Sequence, residues 1–565
     1  MAETSYGGCV SEGSPRRQSA REPAARTYAR ALPIVPVRAR GLTIEGADGR
    51  RYLDCLSGAG TLALGHNHPA VLEAIRKVLD SGAPLHAPDL VTPVEDAFVT
   101  ELLRTLPPGL ADHARVRFCG PSGTDAMRAA VDLVRAATGR RGVVTFTGGG
   151  RGVVGVGGVG LGVGDGDVMG VRFPRGWWGG DGGCEGACAC AGAGGCGCGV
   201  GGGVGLGLGG ASGEELAGPW TQLLVGGSGA DAPIPAGVVV EPIQGEGEVI
   251  SAPGAWMRRL RQLTADRSVP LIADEVHTGV GRTGVFWAVE HSGVTPDVMV
   301  LSKAIGGSLP LSVLAHRDDL DVREPGAPVT GNFRGNQLAL AAGTATLAHV
   351  RENGLAERAA LLGARMLSRL RELGERFACV GAVRGRGLMV GVELVDPAVG
   401  DGRGGGLVRS ARLWGGSAGG GAPRGGAGGG APGGAGVFRC EGAGGAGAGR
   451  AGVERGEGGG VGAGTRAAAP ELAAAVQREC LRRGLIVELG GVHASVVRLL
   501  PPLTISDEQA DAVLERLSEA VEAVEAMAGG KIPRVRIPHS PKKATGQTRD
   551  RPADRAPREG QPVDR

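Results

Sequence analysis

Hydrophobic and polar positions change along the chain in a pattern that predicts alternating strands and helices. Short apolar runs bounded by Gly, Pro or Asp predict strands buried on both faces, at residues 114–119, 238–240, 271–273 and 297–302. Stretches with apolar residues every three or four positions predict helices, at residues 69–79, 93–106, 125–137, 256–267, 337–351, 355–377 and 507–527. This order of elements predicts an α/β fold whose helices cover both faces of a mostly parallel sheet.

The remaining pattern predicts a second, smaller α+β domain. Short alternating runs at 38–56 and strand pieces near 383 and at 388–394 predict sheets outside the large one. At 565 residues the chain is long enough for more than one core. The pattern divides the chain into a disordered tail at 1–26, the first part of the small domain at 27–92, the large domain at 93–335, the rest of the small domain at 336–530 and a second disordered tail at 531–565.

Two segments contain too much glycine for regular structure. Glycine occupies 30 of the 63 positions in 148–210 and 29 of the 66 positions in 401–466. Each glycine inside a helix or strand costs roughly 0.5–1 kcal/mol relative to alanine, so this many would exceed the ~5–15 kcal/mol stability of a typical fold. We therefore expect both segments to be irregular, the second as an insertion in the small domain.

The ends of two predicted strands carry the most reactive side chains. The run PLIADEVH (270–277) ends its apolar part at Asp274, and the run DVMVLSK (297–303) ends at Lys303. Open α/β sheets bind ligands at the carboxyl ends of their strands, so this carboxylate and this amine are expected to lie there. A lysine whose pKa is lowered by burial is a nucleophile that forms an imine, and an acidic partner holds a protonated ring nitrogen.

A helix start near residue 122 is a candidate anion site. Asp125 follows Ser122 by three residues, which fits a capping box at the start of a helix. The first backbone N–H groups of a helix have no partner within it, and they favour a bound anion. Ser122, Gly123 and Thr124 are therefore candidate phosphate contacts, although an ordinary capped helix shows the same pattern.

Composition argues against several other classes of protein. The formal net charge of +3 gives no basic surface for nucleic acid. No apolar run reaches the roughly 18 residues of a membrane-spanning helix, and the N-terminus lacks the apolar segment of a signal peptide, so we expect a soluble, cytoplasmic protein. Five of the 11 cysteines crowd one glycine-rich segment that lacks histidine and the paired spacing of zinc sites, so no metal is expected.

Three motifs in this order resemble the class III (omega) aminotransferases, which are fold type I pyridoxal phosphate (PLP) enzymes. They are EPIQGEG at 241–247, DEVHTGVGRTG at 274–284 and SK at 302–303. Further stretches look like the diaminobutyrate:2-oxoglutarate group of this family, namely FCGPSGTDA at 118–126, SKAIGGSLPL at 302–311 and FRGNQ at 333–337. The resemblance covers roughly 27–147, 213–398 and 467–527. It implies a PLP-binding large domain within residues 93–335 and a smaller domain from both chain ends.

The resemblance assigns roles around the cofactor. Lys303 would form the imine with PLP and move the proton during catalysis, and Asp274 would pair with the pyridinium nitrogen. The helix start at 122–124 would hold the phosphate. His277 stands where the family usually has glutamine, beside the ring hydroxyl, and we expect it to make activity depend on pH between about 5 and 8. Asn332 stands where a threonine usually reaches the phosphate of the neighbouring subunit, which implies a homodimer with shared active sites.

Two further residues match the substrate-binding positions of the family. Arg384 matches the arginine that binds the α-carboxylate of 2-oxoglutarate or glutamate, with Arg386 as the competing assignment. A guanidinium suits a planar carboxylate because it donates two parallel hydrogen bonds. Glu246 matches the carboxylate that pairs with this arginine when the amine donor has no nearby carboxylate, since an unpaired buried charge is costly.

The implied activity is transfer of the ω-amino group of L-2,4-diaminobutyrate to 2-oxoglutarate, which gives aspartate 4-semialdehyde and glutamate. Another ω-aminotransferase, acting on 4-aminobutyrate or ornithine, is the nearest alternative.

A departure from the family pattern favours a third possibility: Gly150 and Arg151 stand where the family has an aromatic residue and a histidine. GC-rich codons read out of frame give Gly, Ala, Arg, Pro, Cys and Trp, so one or both glycine-rich segments fit an out-of-frame translation and an inactive homologue. We then expect the chain as written to be poorly soluble or free of cofactor.

Overall fold

The chain alternates strands and helices in the predicted order. The computed structural model describes residues 32, 34–147, 155–156, 159–160, 168–172, 234–322, 333–397 and 467–528. Its strands are β1 (Pro36–Arg40), β2 (Thr43–Gly46), β3 (Arg51–Asp54), β4 (Ala114–Phe118), β5 (Val143–Thr147), β6 (Gly155–Val156), β7 (Val159–Gly160), β8 (Val168–Arg172), β9 (Gly237–Val240), β10 (Leu271–Asp274), β11 (Val298–Leu301), β12 (Val313–Arg317), β13 (Val380–Arg386), β14 (Met389–Leu394), β15 (Leu485–Ile486), β16 (Glu488–Gly490) and β17 (Val496–Leu499).

Eight α-helices lie in the described ranges, and both predicted capping boxes are confirmed. Ser122 and Asp125 cap one helix, and Ser506 and Gln509 exchange the same pair of hydrogen bonds at another. The helices are α1 (Pro69–Asp80), α2 (Pro93–Leu103), α3 (Gly123–Thr138), α4 (Gly254–Asp266), α5 (Gln337–Glu352), α6 (Leu355–Arg376), α7 (Pro470–Arg482) and α8 (Asp507–Ala528). In the described part of the chain, no helix is long and apolar enough to cross a membrane.

The largest sheet has seven strands in the order β4-β12-β11-β10-β9-β5-β8. The five strands from β11 to β8 run parallel to one another, and β12 is antiparallel to both of its neighbours. The predicted α/β fold with a mostly parallel sheet is therefore confirmed. Parallel α/β sheets bind their ligands at the carboxyl ends of the strands, so a ligand site is expected at this edge of the seven-stranded sheet.

One edge of this sheet corrects the prediction for the first glycine-rich segment. Strand β8 lies inside residues 148–210 and pairs in parallel with β5 along its whole length. Strands β6 and β7 form a short antiparallel pair in the same segment. The expectation of irregular structure is wrong for these residues, because pairing with a neighbouring strand offsets their low intrinsic preference. The rest of 148–210, all of 401–466 and both tails lie outside the described residues.

Helices cover both faces of the sheet, as its apolar runs predict. All residues of β9, β10 and β11 are buried. Successive residues of a strand point to opposite faces: Ile272 packs in the cluster that contains α3, and Leu271 packs in the cluster that contains α4. Three-layer packing of this kind fixes both faces of the sheet and leaves the strand ends accessible.

A smaller set of sheets joins the two ends of the chain. Strand β3 pairs in parallel with β15, and so the described N-terminal and C-terminal parts share one sheet, in the order β1-β2-β3-β15. The other sheet has the order β13-β14-β17-β16 and is antiparallel throughout. Helices α6, α7 and α8 contribute to the core beside it. The division into a large domain at 93–335 and a small domain from both chain ends stays a prediction.

Helix α5 approaches the turn that follows β11 closely enough to require glycine. A Cβ atom at Gly343, in the middle of α5, would overlap the carbonyl oxygen of Ile305. Gly307 has a φ of +55°, and a Cβ there would overlap the carbonyl oxygen of Ala342 on the same helix. These two contacts fix the backbone of residues 303–307 against α5, at the carboxyl end of the sheet.

We predict that Gly343→Ala destabilises the protein by about 1–3 kcal/mol, because the added methyl forces the turn away from α5. Gly374→Ala is the matched control, since a methyl group on this helical glycine would make only ordinary contacts, at 3.7 Å. That variant should gain roughly 0.5–1 kcal/mol. Thermal or urea unfolding of both variants checks the prediction, and equal effects would contradict the close approach.

Candidate functional site

The carboxyl ends of β10 and β11 bring Asp274 and Lys303 together, as predicted. The two strands are parallel neighbours, with Asp274 opposite Val300. Lys303 begins a 3-10 turn two residues after β11 ends. Parallel pairing therefore presents a carboxylate and an amine at the same edge of the sheet, in the part of the fold where α/β proteins place ligands.

Asp274 is a buried carboxylate with one oxygen unused. Asp274 is only 3% exposed, and its Oδ1 accepts a hydrogen bond from the Val276 N–H at 3.0 Å. Its Oδ2 is buried and has no hydrogen-bond partner among the described residues. Burial raises the pKa of Asp274 from 3.8 to about 6. A buried, unpartnered oxygen is costly, so this position fits a cationic donor such as a protonated ring nitrogen.

Lys303 has the lowered pKa that a nucleophilic amine needs. Burial lowers it from 10.5 to about 8, against the opposing effect of the Glu246 charge. The backbone of Lys303 has a φ of +51°, in the left-handed region. This conformation costs a non-glycine residue about 1–3 kcal/mol, and it persists only where the surroundings enforce it. The packing of Gly343 and Gly307 against the same turn supplies that enforcement.

His277 contacts Lys303 directly. Its Nε2 lies 2.6 Å from Lys303 Nζ and 3.7 Å from Glu246 Oε1. The ring fits because residue 245 is glycine: a Cβ there would overlap it. Burial, and then the charge of Lys303, lower the pKa of His277 to about 4. A ring with this pKa is neutral between pH 5 and 8, so His277 does not account for the expected pH dependence of activity, which stays a prediction.

Glu246 lies with His277 rather than with an arginine. Interaction with the His277 ring lowers the pKa of Glu246, and the charges of Lys303 and Arg498 add to the effect. Its side chain is 54% exposed, which leaves it open to the solvent side of the site. The expected ion pair between Glu246 and Arg384 is absent from the described residues, where each has other partners.

The start of helix α3 lies beside these strand ends. The Ser122 side chain accepts a hydrogen bond from the Asp125 N–H at 3.3 Å and so caps the helix. A Cβ atom built on Gly123 would lie 3.1 Å from the Val276 side chain and 3.6 Å from that of Ser302. The first turn of α3, with Gly123 and Thr124, therefore faces the same edge of the sheet as Asp274 and Lys303. Helix amides and the helix dipole suit a phosphate there.

Arg384 has partners outside this group in the structure. Arg384 lies on β13, contacts Glu393 in an ion pair, and donates to the carbonyl oxygen of Glu248 at 3.0 Å. It is also 3.4 Å from the Glu248 carboxylate. Two carboxylates therefore neutralise this guanidinium in the structure, and the assignment of Arg384 as the substrate contact stays a prediction. Asn332, Gly150 and Arg151 lie outside the described residues.

Arg498 is the residue that sequence reasoning missed. It lies on β17, is only 5% exposed, and donates to the carbonyl oxygen of Gly245. Its Nε is buried without a partner among the described residues. Its charge contributes to the lowered pKa values of Lys303, after burial, and of Glu246, after His277. The signal in the sequence is a single arginine inside the apolar run VVRLLPP (496–502), where a buried charge needs a reason.

Together these groups fit one ligand chemistry. The buried oxygen of Asp274 suits a cationic ring nitrogen, the neutral amine of Lys303 suits an aldehyde carbon, and the start of α3 suits a phosphate. Arg498 suits the carboxylate of an amino or oxo acid. A pyridoxal phosphate site requires the first three features, and the described residues supply each of them.

Comparison with known proteins gives relatives of similar length. The family profile of class-III aminotransferases matches residues 24–157 and 230–410 and leaves out most of the first glycine-rich segment. The chain is 41% identical over 506 residues to the diaminobutyrate–2-oxoglutarate aminotransferase of Rhizobium meliloti (strain 1021), which is 90% of this chain and 92% of that protein. It is 35% identical to the protein of the same name from Haemophilus influenzae, over 89% of this chain and 94% of that protein.

Solved structures show the same fold. Acetylornithine aminotransferase from Elizabethkingia anophelis matches with a TM-score of 0.61 at 20% identity, over 90% of this chain and 98% of that one. A phospholyase from Arthrobacter in complex with phosphoethanolamine matches with a TM-score of 0.63 at 20% identity, over 90% of this chain and 99% of that one. Since the family profile matches more than half of the chain and the Rhizobium relative covers most of it, the chain belongs to the class-III aminotransferases, which depend on pyridoxal 5'-phosphate.

Proposed function

We propose that this protein transfers the ω-amino group of L-2,4-diaminobutyrate to 2-oxoglutarate, with aspartate 4-semialdehyde and glutamate as products. The observation that carries the chemistry is the pairing of β10 with β11, which sets the buried, unpartnered Oδ2 of Asp274 beside the lowered-pKa amine of Lys303. The names of relatives at 41% and 35% identity support the choice of substrates.

The chain's own residues provide cofactor binding and proton transfer. Pyridoxal phosphate, when bound, withdraws electrons from the carbon that carries the reacting amine. Asp274 accepts a hydrogen bond from the protonated ring nitrogen and keeps it cationic. Ser122, Gly123 and Thr124 hold the phosphate at the start of α3. Lys303 would hold the cofactor covalently, and its amine would move the proton to and from the substrate carbon.

His277 and Glu246 shape the environment of that amine. His277 is neutral above pH 5, because burial and Lys303 lower its pKa to about 4. A neutral ring contacts Lys303 Nζ at 2.6 Å without adding a second positive charge. It also suits a hydrogen bond to the ring hydroxyl of the cofactor. Glu246 offsets the positive charge around it and favours an ammonium group on the incoming donor.

We place the contact to the substrate carboxylate on Arg498 instead of Arg384. Arg498 has an unpartnered, buried Nε and lies within electrostatic range of Lys303, whereas Arg384 is held by Glu393 and Glu248. The proposal includes a homodimer in which Asn332 reaches the neighbouring subunit's phosphate site, and a cytoplasmic location. The homodimer rests on the family resemblance, and the location rests on the composition of the sequence.

A second candidate is an inactive homologue that arises from an out-of-frame segment. The family match stops at 157 and resumes at 230, which is where glycine dominates the sequence. Translation of the coding DNA in the other two frames decides this point. An aromatic residue followed by histidine after Phe146 in another frame would support the out-of-frame origin, and its absence from both frames would remove it.

Asp274→Asn is predicted to stabilise the cofactor-free protein while it weakens PLP binding. A folded-state pKa raised from 3.8 to about 6 means that the folded protein loses stability as pH rises through that range. Asparagine removes this cost, which is on the order of 3 kcal/mol well above pH 6, and the gain vanishes below pH 4. Thermal unfolding of both proteins from pH 4 to 8 measures this gain in stability. PLP should then stabilise the wild type more than the variant; equal stabilisation would exclude the pairing.

The rate at which cofactor-free protein takes up PLP should rise as pH increases through about 8. Only the neutral amine reacts, and a lysine with a pKa near 8 is about half neutral at pH 8, compared with about 0.4% at the ordinary value near 10.4. Visible absorbance follows the uptake. Lys303→Ala should abolish the lysine-linked absorbance and transamination, while the exposed Lys77→Ala control keeps both. Turnover in Lys303→Ala, or a rate that does not change from pH 7 to 9, would reject the assignment.

Arg498→Lys should weaken the use of 2-oxoglutarate by about 10-fold, since lysine keeps the charge but lacks the two-pronged donor. Arg384→Lys is the matched control and should leave the apparent affinity for 2-oxoglutarate unchanged. Glutamate formation is measured with L-2,4-diaminobutyrate, 4-aminobutyrate and ornithine as donors. The function is supported by preferred use of diaminobutyrate, and it fails if wild-type protein prefers either other donor. A larger effect at Arg384 would restore Arg384 as the carboxylate contact.

A further inference from the structure

An open cleft lies at the amino edge of the large sheet, opposite the edge that carries Lys303. Its volume is about 510 Å³. Its charged and polar lining residues are His113, Arg258, Arg261, Thr295, Asp297 and Arg317. Asp297 directly precedes β11, which ends two residues before Lys303. Since a strand rises about 3.3 Å per residue, the cleft is roughly 15 Å or more from the reacting amine, and the proposed reaction does not use it.

Two arginines of the cleft are held in place by the buried carboxylate of Asp297. Arg261 donates to both of its oxygens, at 2.5 and 3.0 Å, and Arg317 donates to Oδ1 at 2.8 Å. The backbone N–H of Leu271, the first residue of β10, donates to Oδ2 at 2.8 Å. Asp297 therefore ties together the amino ends of β10 and β11. It also fixes both guanidinium groups before any ligand arrives, which lowers the entropic cost of binding one.

Both guanidinium groups keep donors that these contacts do not use. A guanidinium has five N–H donors. Arg261 uses two of them on Asp297, and Arg317 uses three, one on Asp297 and two on Asp319. Three N–H groups of Arg261 and two of Arg317 therefore have no partner among the described residues. A further anion can accept from them while the ion pairs with Asp297 stay intact.

The lining of the cleft has an excess of positive charge. Three arginines and one carboxylate line it, which leaves a formal excess of two. The third arginine, Arg258, is exposed on α4 one turn before Arg261, and it donates to the carbonyl oxygen of Ser292 at 3.4 Å. Asp319 pairs with Arg317 from outside the lining, and its side chain is 53% exposed, so water screens its charge. A ligand with two negative charges would neutralise the excess.

We propose that this cleft is a second anion site, which binds a phosphate group as the inorganic ion or as a phosphate monoester. A phosphate group carries a charge of about −1.5 to −2 at pH 7. Its oxygens point in several directions, so it can accept from arginines on two elements, α4 and β12, whereas a planar carboxylate fits one guanidinium fork. Because Asp297 also holds Leu271, an anion on its two arginines stabilises the amino ends of β10 and β11. The site goes beyond the proposed function and does not depend on the donor amine.

The test is calorimetric titration of PLP-saturated protein with inorganic phosphate and, separately, with glycerol 3-phosphate, at constant ionic strength. Saturation with PLP fills the phosphate position at the start of α3. Arg258→Gln should weaken binding by about 10-fold, because it removes one charged donor from the cleft. Arg258→Lys keeps the charge and should lose less. Arg259→Gln is the matched control, since this neighbouring exposed arginine contacts Gln262 and does not line the cleft. It should leave binding unchanged.

The two ligands and the two glutamine variants give distinct outcomes. Saturable binding that Arg258→Gln weakens and Arg259→Gln leaves unchanged supports the site. Tighter binding of glycerol 3-phosphate would then identify a monoester as the ligand, and tighter binding of inorganic phosphate would identify the inorganic ion. The proposal is overturned if neither ligand binds saturably, if Arg258→Gln binds like the wild type, or if both variants lose affinity equally through overall charge. No amino donor or oxo acid is present, so the result is independent of the proposed reaction.

Discussion

The parallel pairing of β10 with β11 is the constraint on which the site depends. It places a carboxylate whose pKa is raised beside an amine whose pKa is lowered, and both shifts come chiefly from burial. Neither group is stable in this state by itself: Asp274 leaves an oxygen unpartnered, and Lys303 has a left-handed backbone. The three-layer packing of the sheet supplies the free energy that holds them, and the cofactor offsets the cost when it binds.

Small residues make this arrangement possible at the points where backbones meet. Gly343 and Gly307 let α5 contact the turn that carries Lys303, and Gly245 leaves space for the His277 ring. A methyl group at any of them would move a catalytic side chain by displacing its backbone or its neighbour. The site is therefore rigid where it holds the cofactor.

The sequence predicted what depends on local pattern. Asp274, Lys303 and the capped start of α3 end apolar runs or begin a periodic one, so their positions follow from period and composition. Arg498 was missed because it lies on β17, far along the chain from Lys303. Only the folded chain, in which β17 pairs with β16, brings this arginine to the site. The contact of His277 with Lys303 was not predicted either. The neutral state of the ring was also not predictable, because burial in the folded protein determines it. Strand β8 was missed because its pairing with β5 outweighs glycine content.

Charge balance links the two halves of the site. Lys303 and Arg498 are the basic side chains of the site, Glu246, Glu488 and Asp274 are its acidic ones, and His277 lies beside Lys303 as a neutral ring. Each carboxylate raises the pKa of Lys303, and Arg498 lowers it. A substrate carboxylate that binds Arg498 would neutralise the guanidinium whose charge lowers the pKa of Lys303, so binding of the oxo acid and the basicity of the reacting amine are linked.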